Sequence, residues 1–183
     1  PAAVKIGMVS SAPIVEAICR SLDAPSPRFV VADPVMISSS GFPLTNLEAM
    51  KTVMPSLIRR ISLLTPNIPE AEVLSGMTIS DPAGMERAAR AISEQYGCAV
   101  LCKGGHQISD ANDLLFHKGV SRWFNGKRIN NPNTHGTGCT LSSAITAFLA
   151  QQYGMEQAVE KAKAFVDEAL RAGSDRCIGS GHG

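Results

Sequence analysis

Asn133-Thr134-His135-Gly136-Thr137-Gly138-Cys139-Thr140 stands directly ahead of a run in which Leu141, Ala144, Ile145, Phe148 and Leu149 recur at helical spacing. Two glycines around one threonine let the backbone turn sharply and bring its amides close to a ligand. A glycine turn that opens a helix gathers unpaired N–H groups and the positive end of the macrodipole at one point. That arrangement suits an anion, and phosphate is its usual guest. The octet is not a Walker A loop, because no lysine followed by serine or threonine comes after Gly138. Nor is it the dinucleotide fingerprint, because no glycine lies three places beyond Gly138. Read on its glycines alone, the turn serves equally well as a tight connection. Cys139 falls in the first helical turn, where the local field favours a thiolate.

Outward from the octet, apolar runs and turn residues alternate. Strands are expected at residues 4–8, 29–32, 61–64 and 98–103. Ser11 is placed to cap a helix that buries Ile14, Val15, Ile18 and Leu22. Thr45 and Glu48 form a capping box for a helix over residues 45–54. A short helix over residues 69–75 closes at Gly76, and Asp81-Pro82 opens another with Met85, Ala88, Ala89, Ile92 and Tyr96 inward. Strands follow at residues 113–117 and 120–124, the second turning at Asn125-Gly126 to meet residues 127–129. Helices over residues 138–152 and 155–172 complete the pattern, the latter burying Met155, Ala158, Val159, Ala162, Phe165, Val166 and Ala169. Strands alternating with helices predict a single α/β domain over residues 1–183, with a mainly parallel sheet covered on both faces.

The 183 residues are 44% hydrophobic and 18% charged, with a formal charge of +1. That balance gives no basic footprint for nucleic acid and no membrane-surface patch. No apolar run approaches the roughly 18 residues of a membrane span, and Pro1-Ala2-Ala3-Val4-Lys5 does not read as a signal peptide. Five scattered cysteines suggest no disulfide framework and point to a reducing, cytoplasmic setting. Cys98 and Cys102 read as buried strand residues rather than a zinc knuckle.

Ligands of such sheets gather at the carboxyl ends of the strands. This selects Asp33, Asn67 with Glu70, Lys103-Gly104-Gly105 and the octet. Phosphoryl transfer asks for positioning and charge neutralisation, and one or two carboxylates suffice for magnesium. Asp33 and Glu70 could supply them. Glu72 competes with Glu70 but reads as a solvated carboxylate. Lys103 leaves an apolar strand ahead of two glycines, as a point charge for phosphate would, although a lysine there is also commonly solvated.

The octet resembles the anion-hole segment of hydroxymethylpyrimidine and phosphomethylpyrimidine kinases of thiamin biosynthesis, in the ribokinase-like superfamily. Most of that superfamily has an aspartate base where this chain has Cys139. Asp33-Pro34-Val35-Met36, Thr65-Pro66-Asn67-Ile68-Pro69-Glu70-Ala71-Glu72, Lys103-Gly104-Gly105-His106, Asp113-Leu114-Leu115 and Gly181-His182-Gly183 are similar to the family's segments at the same places. The resemblance implies a ribokinase-like three-layer α/β/α fold. The family opens with a further strand and a glycine- and serine-rich segment not seen here, so N-terminal strands are expected to be missing and the domain incomplete.

The resemblance also implies ATP and Mg2+ as cofactors, with Asp33 and Glu70 at the metal. Lys103, Asn67 and Thr134 would contact ATP; Gly136, Thr137, Gly138 and Cys139 would form the catalytic turn; Met8 and Val35 would line the pyrimidine pocket. Cys139 is either the base for the substrate hydroxymethyl group or a group that positions it. His106 and His135 would at most bond within their own loops. The expected partners are a small-molecule alcohol, ATP and a second copy of the chain. Pyridoxal or pyridoxine kinase is the alternative activity, and a non-catalytic nucleotide-binding fragment is the alternative from another class.

Overall fold

A computed structural model of the chain describes residues 1–23, 26–34, 55–104, 111–129, 131 and 134–174. The elements follow in chain order: β1 (Ala3–Ile6), α1 (Ala12–Asp23), β2 (Phe29–Ala32), β3 (Leu63–Leu64), α2 (Ile68–Ser75), α3 (Pro82–Tyr96), β4 (Ala99–Cys102), β5 (Asp113–His117), β6 (Val120–Phe124), α4 (Thr137–Ala150) and α5 (Met155–Gly173). The six strands lie side by side in the order β1-β2-β3-β4-β5-β6. The first four run parallel, and β5 and β6 are antiparallel to their neighbours.

Side chains alternate across each strand and so feed two cores. Val30, Ala32, Leu64, Val100, Cys102, Leu114 and Phe116 face a core shared with Val15, Cys19 and Leu22 of α1, Ala71 of α2 and Ala88, Ala89 and Ile92 of α3. Val31, Leu63, Ala99, Leu101 and Leu115 face the opposite one, closed by Leu141, Ile145 and Leu149 of α4 and Ala158, Ala162 and Val166 of α5. A parallel strand covered on both faces reads as an unbroken apolar run, and Ala99–Cys102 is buried at every position. The expected three-layer α/β/α arrangement is therefore present.

Helix ends explain where the chain turns back toward the sheet. Asp81 accepts the Gly84 amide at 2.5 Å, and Pro82 starts α3 where no N–H is needed. Gly76 and Gly97 close α2 and α3 with left-handed φ of 69° and 74°. Asp81-Pro82 and Gly76 cap where the sequence places them, and Gly97 adds a cap that the sequence reading does not single out.

Other expectations need correcting. The hairpin turn is Lys118-Gly119, both with positive φ (51° and 80°), and it pairs β6 back onto β5. Asn125-Gly126 makes no hairpin, and residues 125–129 form no strand. Gly126 serves a close crossing instead: its amide donates to Asn112 Oδ1 at 2.9 Å, and a Cβ there would meet the Ala111 carbonyl oxygen at 2.4 Å. Ile14 and Phe165 are exposed, because the buried stripes are Val15, Cys19 and Leu22 in α1 and Ala158, Val159, Ala162 and Val166 in α5. Ala169 is exposed as well. The helix expected over residues 45–54 lies outside the described residues.

Candidate active site

Three strand ends meet at one rim of the sheet. Asp33 follows β2, and its amide donates to the Ile6 carbonyl at 2.9 Å, which sets it beside the end of β1. Its side chain is 3% exposed as a residue and therefore needs partners. Lys103 Nζ stands 2.7 Å from Asp33 Oδ1, and Thr65 Oγ1 donates to the same oxygen at 3.2 Å. Lys103 follows β4, with its amide on the Pro66 carbonyl at 2.8 Å and a parallel bridge to Asn67. Sequence reasoning gave Thr65 no role. Its position directly after β3, at the same rim, was the available signal.

Asn67 and Glu70 form a reciprocal capping box at the start of α2. Glu70 Oε2 accepts the Asn67 amide at 2.9 Å, and Asn67 Oδ1 accepts the Glu70 amide at 2.9 Å. The Asn-x-x-Glu spacing thus has a structural use, and it holds a buried carboxylate at the rim. Glu72 is no free solvated group: its Oε1 accepts the Ile79 amide at 2.7 Å and ties α2 to the approach of α3.

The glycine turn arrives at this rim from the far end of the chain. Gly136 is the N-cap of α4 with φ 81°, a left-handed conformation that favours glycine, and no side chain caps the helix. Thr137 donates through its amide (3.3 Å) and its hydroxyl (2.5 Å) to the Thr134 carbonyl, which closes the bend. The amides of the first turn have no intrahelical acceptors and carry the positive end of the helix dipole. A Cβ on Gly138 would come 3.3 Å from Lys103 Nζ and 3.7 Å from Asp33 Oδ2. Bend, lysine and aspartate therefore share one site.

Cys139, beside Gly138, is exposed, whereas Cys98 and Cys102 are buried. Burial pushes the Cys98 thiol up to about 11. Burial, helped by the Asp113 carboxylate, pushes the Cys102 thiol up to about 12. Chemistry that needs a thiolate is thus closed to these two. Met8 is 56% exposed in the segment that follows β1, on the same edge of the sheet. His135 is exposed. Val35, His106, Asn133 and residues 181–183 lie outside the described residues.

Behind Lys103 sits a second buried pair. Asp113 Oδ1 accepts the Gly104 amide at 3.0 Å, and Lys163 Nζ of α5 stands 2.5 Å from Asp113 Oδ2. Lys163 was missed, since one lysine beside an apolar helical stripe carries almost no signal.

The chain matches the phosphomethylpyrimidine kinase family over residues 1–183. It belongs to that family. The hydroxymethylpyrimidine/phosphomethylpyrimidine kinase of Bacillus subtilis (strain 168) is 41% identical over 185 residues, and the match takes in 100% of this chain and 68% of that protein. The crystal structure of phosphomethylpyrimidine kinase from Clostridium difficile 630 superposes with a TM-score of 0.81 at 40% identity, covering 93% of this chain and 69% of that one. The pyridoxal kinase from Staphylococcus aureus in complex with AMP-PCP superposes with a TM-score of 0.84 at 29% identity, covering 93% of this chain and 63% of that one. The fold is therefore the ribokinase-like one, and the chain spans about two thirds of these relatives.

Family membership implies a divalent metal, and the donor set fits magnesium. Asp33 and Thr65 directly follow β2 and β3, and Glu70 lies in the first turn of α2; all three are hard oxygen donors, buried at 3%, 0% and 3% exposure. Among the described residues no group of three or more His, Cys, Asp and Glu side chains gathers that could hold a metal ion by itself, so a cation here would also need phosphate or water oxygens. Asp33 Oδ2 faces the glycine turn while Oδ1 takes Lys103 and Thr65.

Proposed function

We propose that the chain carries the phosphoryl-transfer site of an ATP-dependent kinase acting on 4-amino-5-hydroxymethyl-2-methylpyrimidine and its monophosphate. The observation that supports this most is the place of Gly138, where an added Cβ would come within van der Waals reach of both the Lys103 ammonium and the Asp33 carboxylate. Phosphoryl transfer needs the donor phosphates held and their charge neutralised. The amides of Gly136, Gly138 and Cys139, in the bend that Thr137 closes, bind the terminal phosphate, and Lys103 supplies a point charge beside it. Asn67 and Thr134 complete the nucleotide contacts. Asp33 and Glu70 would hold magnesium, which would supply positive charge against the phosphates. Cys139 lies beside the reacting oxygen, as base or as positioning group, and Met8 with Val35 lines the pyrimidine side.

Lys103 neutralises Asp33 across the rim. Each of the two would find a partner of opposite charge in the ligand proposed for it, lysine in phosphate and aspartate in the cation, so neither buried charge would be left uncompensated.

Pyridoxal phosphorylation is the second reading, favoured by the close superposition on the Staphylococcus aureus pyridoxal kinase. A coupled assay of ADP release, run on the full-length protein with each alcohol, separates the two. A higher kcat/KM for the pyrimidine is expected, and an equal or higher value for pyridoxal overturns the order. A homodimer and a cytoplasmic location belong to the same proposal, and sedimentation equilibrium tests the first. Among the described residues no helix is long and apolar enough to cross a membrane.

A further inference from the structure

We infer that Asp113 and Lys163 are positioning residues that aim Lys103 at the glycine turn. The backbone leaves the sheet at Gly104 and returns at Asn112, and the two points are in contact: a Cβ on Gly104 would lie 1.9 Å from the Asn112 carbonyl oxygen. Asp113 fixes this crossing by accepting the Gly104 amide at 3.0 Å. Its other carboxylate oxygen is held by Lys163 Nζ at 2.5 Å, and the same ammonium donates to the Ala111 carbonyl at 2.6 Å. Both side chains are nearly buried, at 11% and 12% exposure, so the pair is shielded from solvent screening.

The pair has a direction that mere stabilisation of the sheet does not need. Lys163 belongs to α5, which packs on α4, and α4 begins with the glycine turn. Asp113 holds the residue next to Lys103. The ion pair thus ties α5, the helix packed on the one that carries the phosphate-binding amides, to Asp113 at the start of β5, whose other oxygen holds the residue after Lys103. Neither Asp113 nor Lys163 lies among the residues placed at the phosphates or the metal. They act through Lys103.

The functional half of this inference rests on the nucleotide-binding reading above, so the test has two arms. In the first, exchange of the Gly104 amide is followed by NMR without ligand in the wild-type chain and in Lys163→Met. Exchange at Gly104 about 10-fold faster or more is expected, with Val15 in α1 unchanged. Unchanged exchange at Gly104 overturns the clamp. In the second, affinity for ADP is measured for wild type, Lys163→Met, Lys103→Met and the double variant.

Lys163→Met should weaken ADP binding by about 10-fold in the wild-type background but by less than about 2-fold when Lys103 is already gone. Equal losses in both backgrounds would make the pair structural only and overturn the inference. Should Lys163→Met unfold because Asp113 is left buried and unpaired, Asp113→Asn/Lys163→Met removes both charges together and takes its place, with the same outcomes. Failure of the wild type to bind ADP sinks the nucleotide reading, while Gly104 exchange still decides the clamp.

Discussion

At the scale of single residues, the site depends on one missing side chain and one thiol. Gly138→Val puts a branched group where a Cβ alone already approaches Lys103 Nζ to 3.3 Å, so it should weaken ATP binding; unchanged affinity by calorimetry would remove this turn from the phosphate site. Cys139→Ala should lower kcat by about 10²-fold or more if the sulfur takes the substrate proton, a usual size for general-base catalysis. A loss of only a few-fold in steady-state kinetics would leave Cys139 a positioning role. The exposed Cys139 should also react first with iodoacetamide at pH 8. Cys98 and Cys102, whose thiols burial holds at about 11 and about 12, should stay unmodified in peptide maps of the native protein.

At the scale of elements, α2 has two duties that substitutions can separate. Asn67→Ala removes the acceptor for the Glu70 amide and should cost about 1 kcal/mol of stability, read as a lowered urea midpoint. Glu70→Gln keeps an oxygen for the Asn67 amide and should leave the fold in place while raising the magnesium concentration needed for half-maximal rate. An unaltered metal dependence would assign the ligand elsewhere. Elements with a cap or a run of strand-forming residues were legible in the sequence: α2 ends at Gly76, α3 opens at Asp81-Pro82, and β2, β5 and β6 fall at residues 29–32, 113–117 and 120–124 as expected. Asp33, Asn67 and Lys103 were legible too, because the strand-end rule needs only the strands. The turn at Lys118-Gly119 was not, since lysine is not a residue that announces a left-handed φ. Asn125-Gly126 misled for a related reason: a glycine needed for close backbone approach looks the same in sequence as one needed for a hairpin. The Asp113–Lys163 pair and the Thr65 bond join residues far apart along the chain, and nothing local marks such pairs.

At the scale of the whole molecule, the sheet grows one strand at a time in chain order, yet its second face is closed by helices from the end of the chain. Ile145 of α4 is fully buried on that face, and Ile145→Ala should cost about 2–5 kcal/mol in urea unfolding. A cost below about 1 kcal/mol would mean that α4 is not packed on the sheet as described. Contacts of α4 reach across to β1 and β2, the earliest strands. This rim therefore takes shape only once residues 137–150 have docked on the first strands. Long-range closure of this sort is slow compared with local helix formation. A nucleotide can thus reward only a molecule in which α4 has already docked, and ATP would act as a lock on that docking rather than as a template for the steps before it.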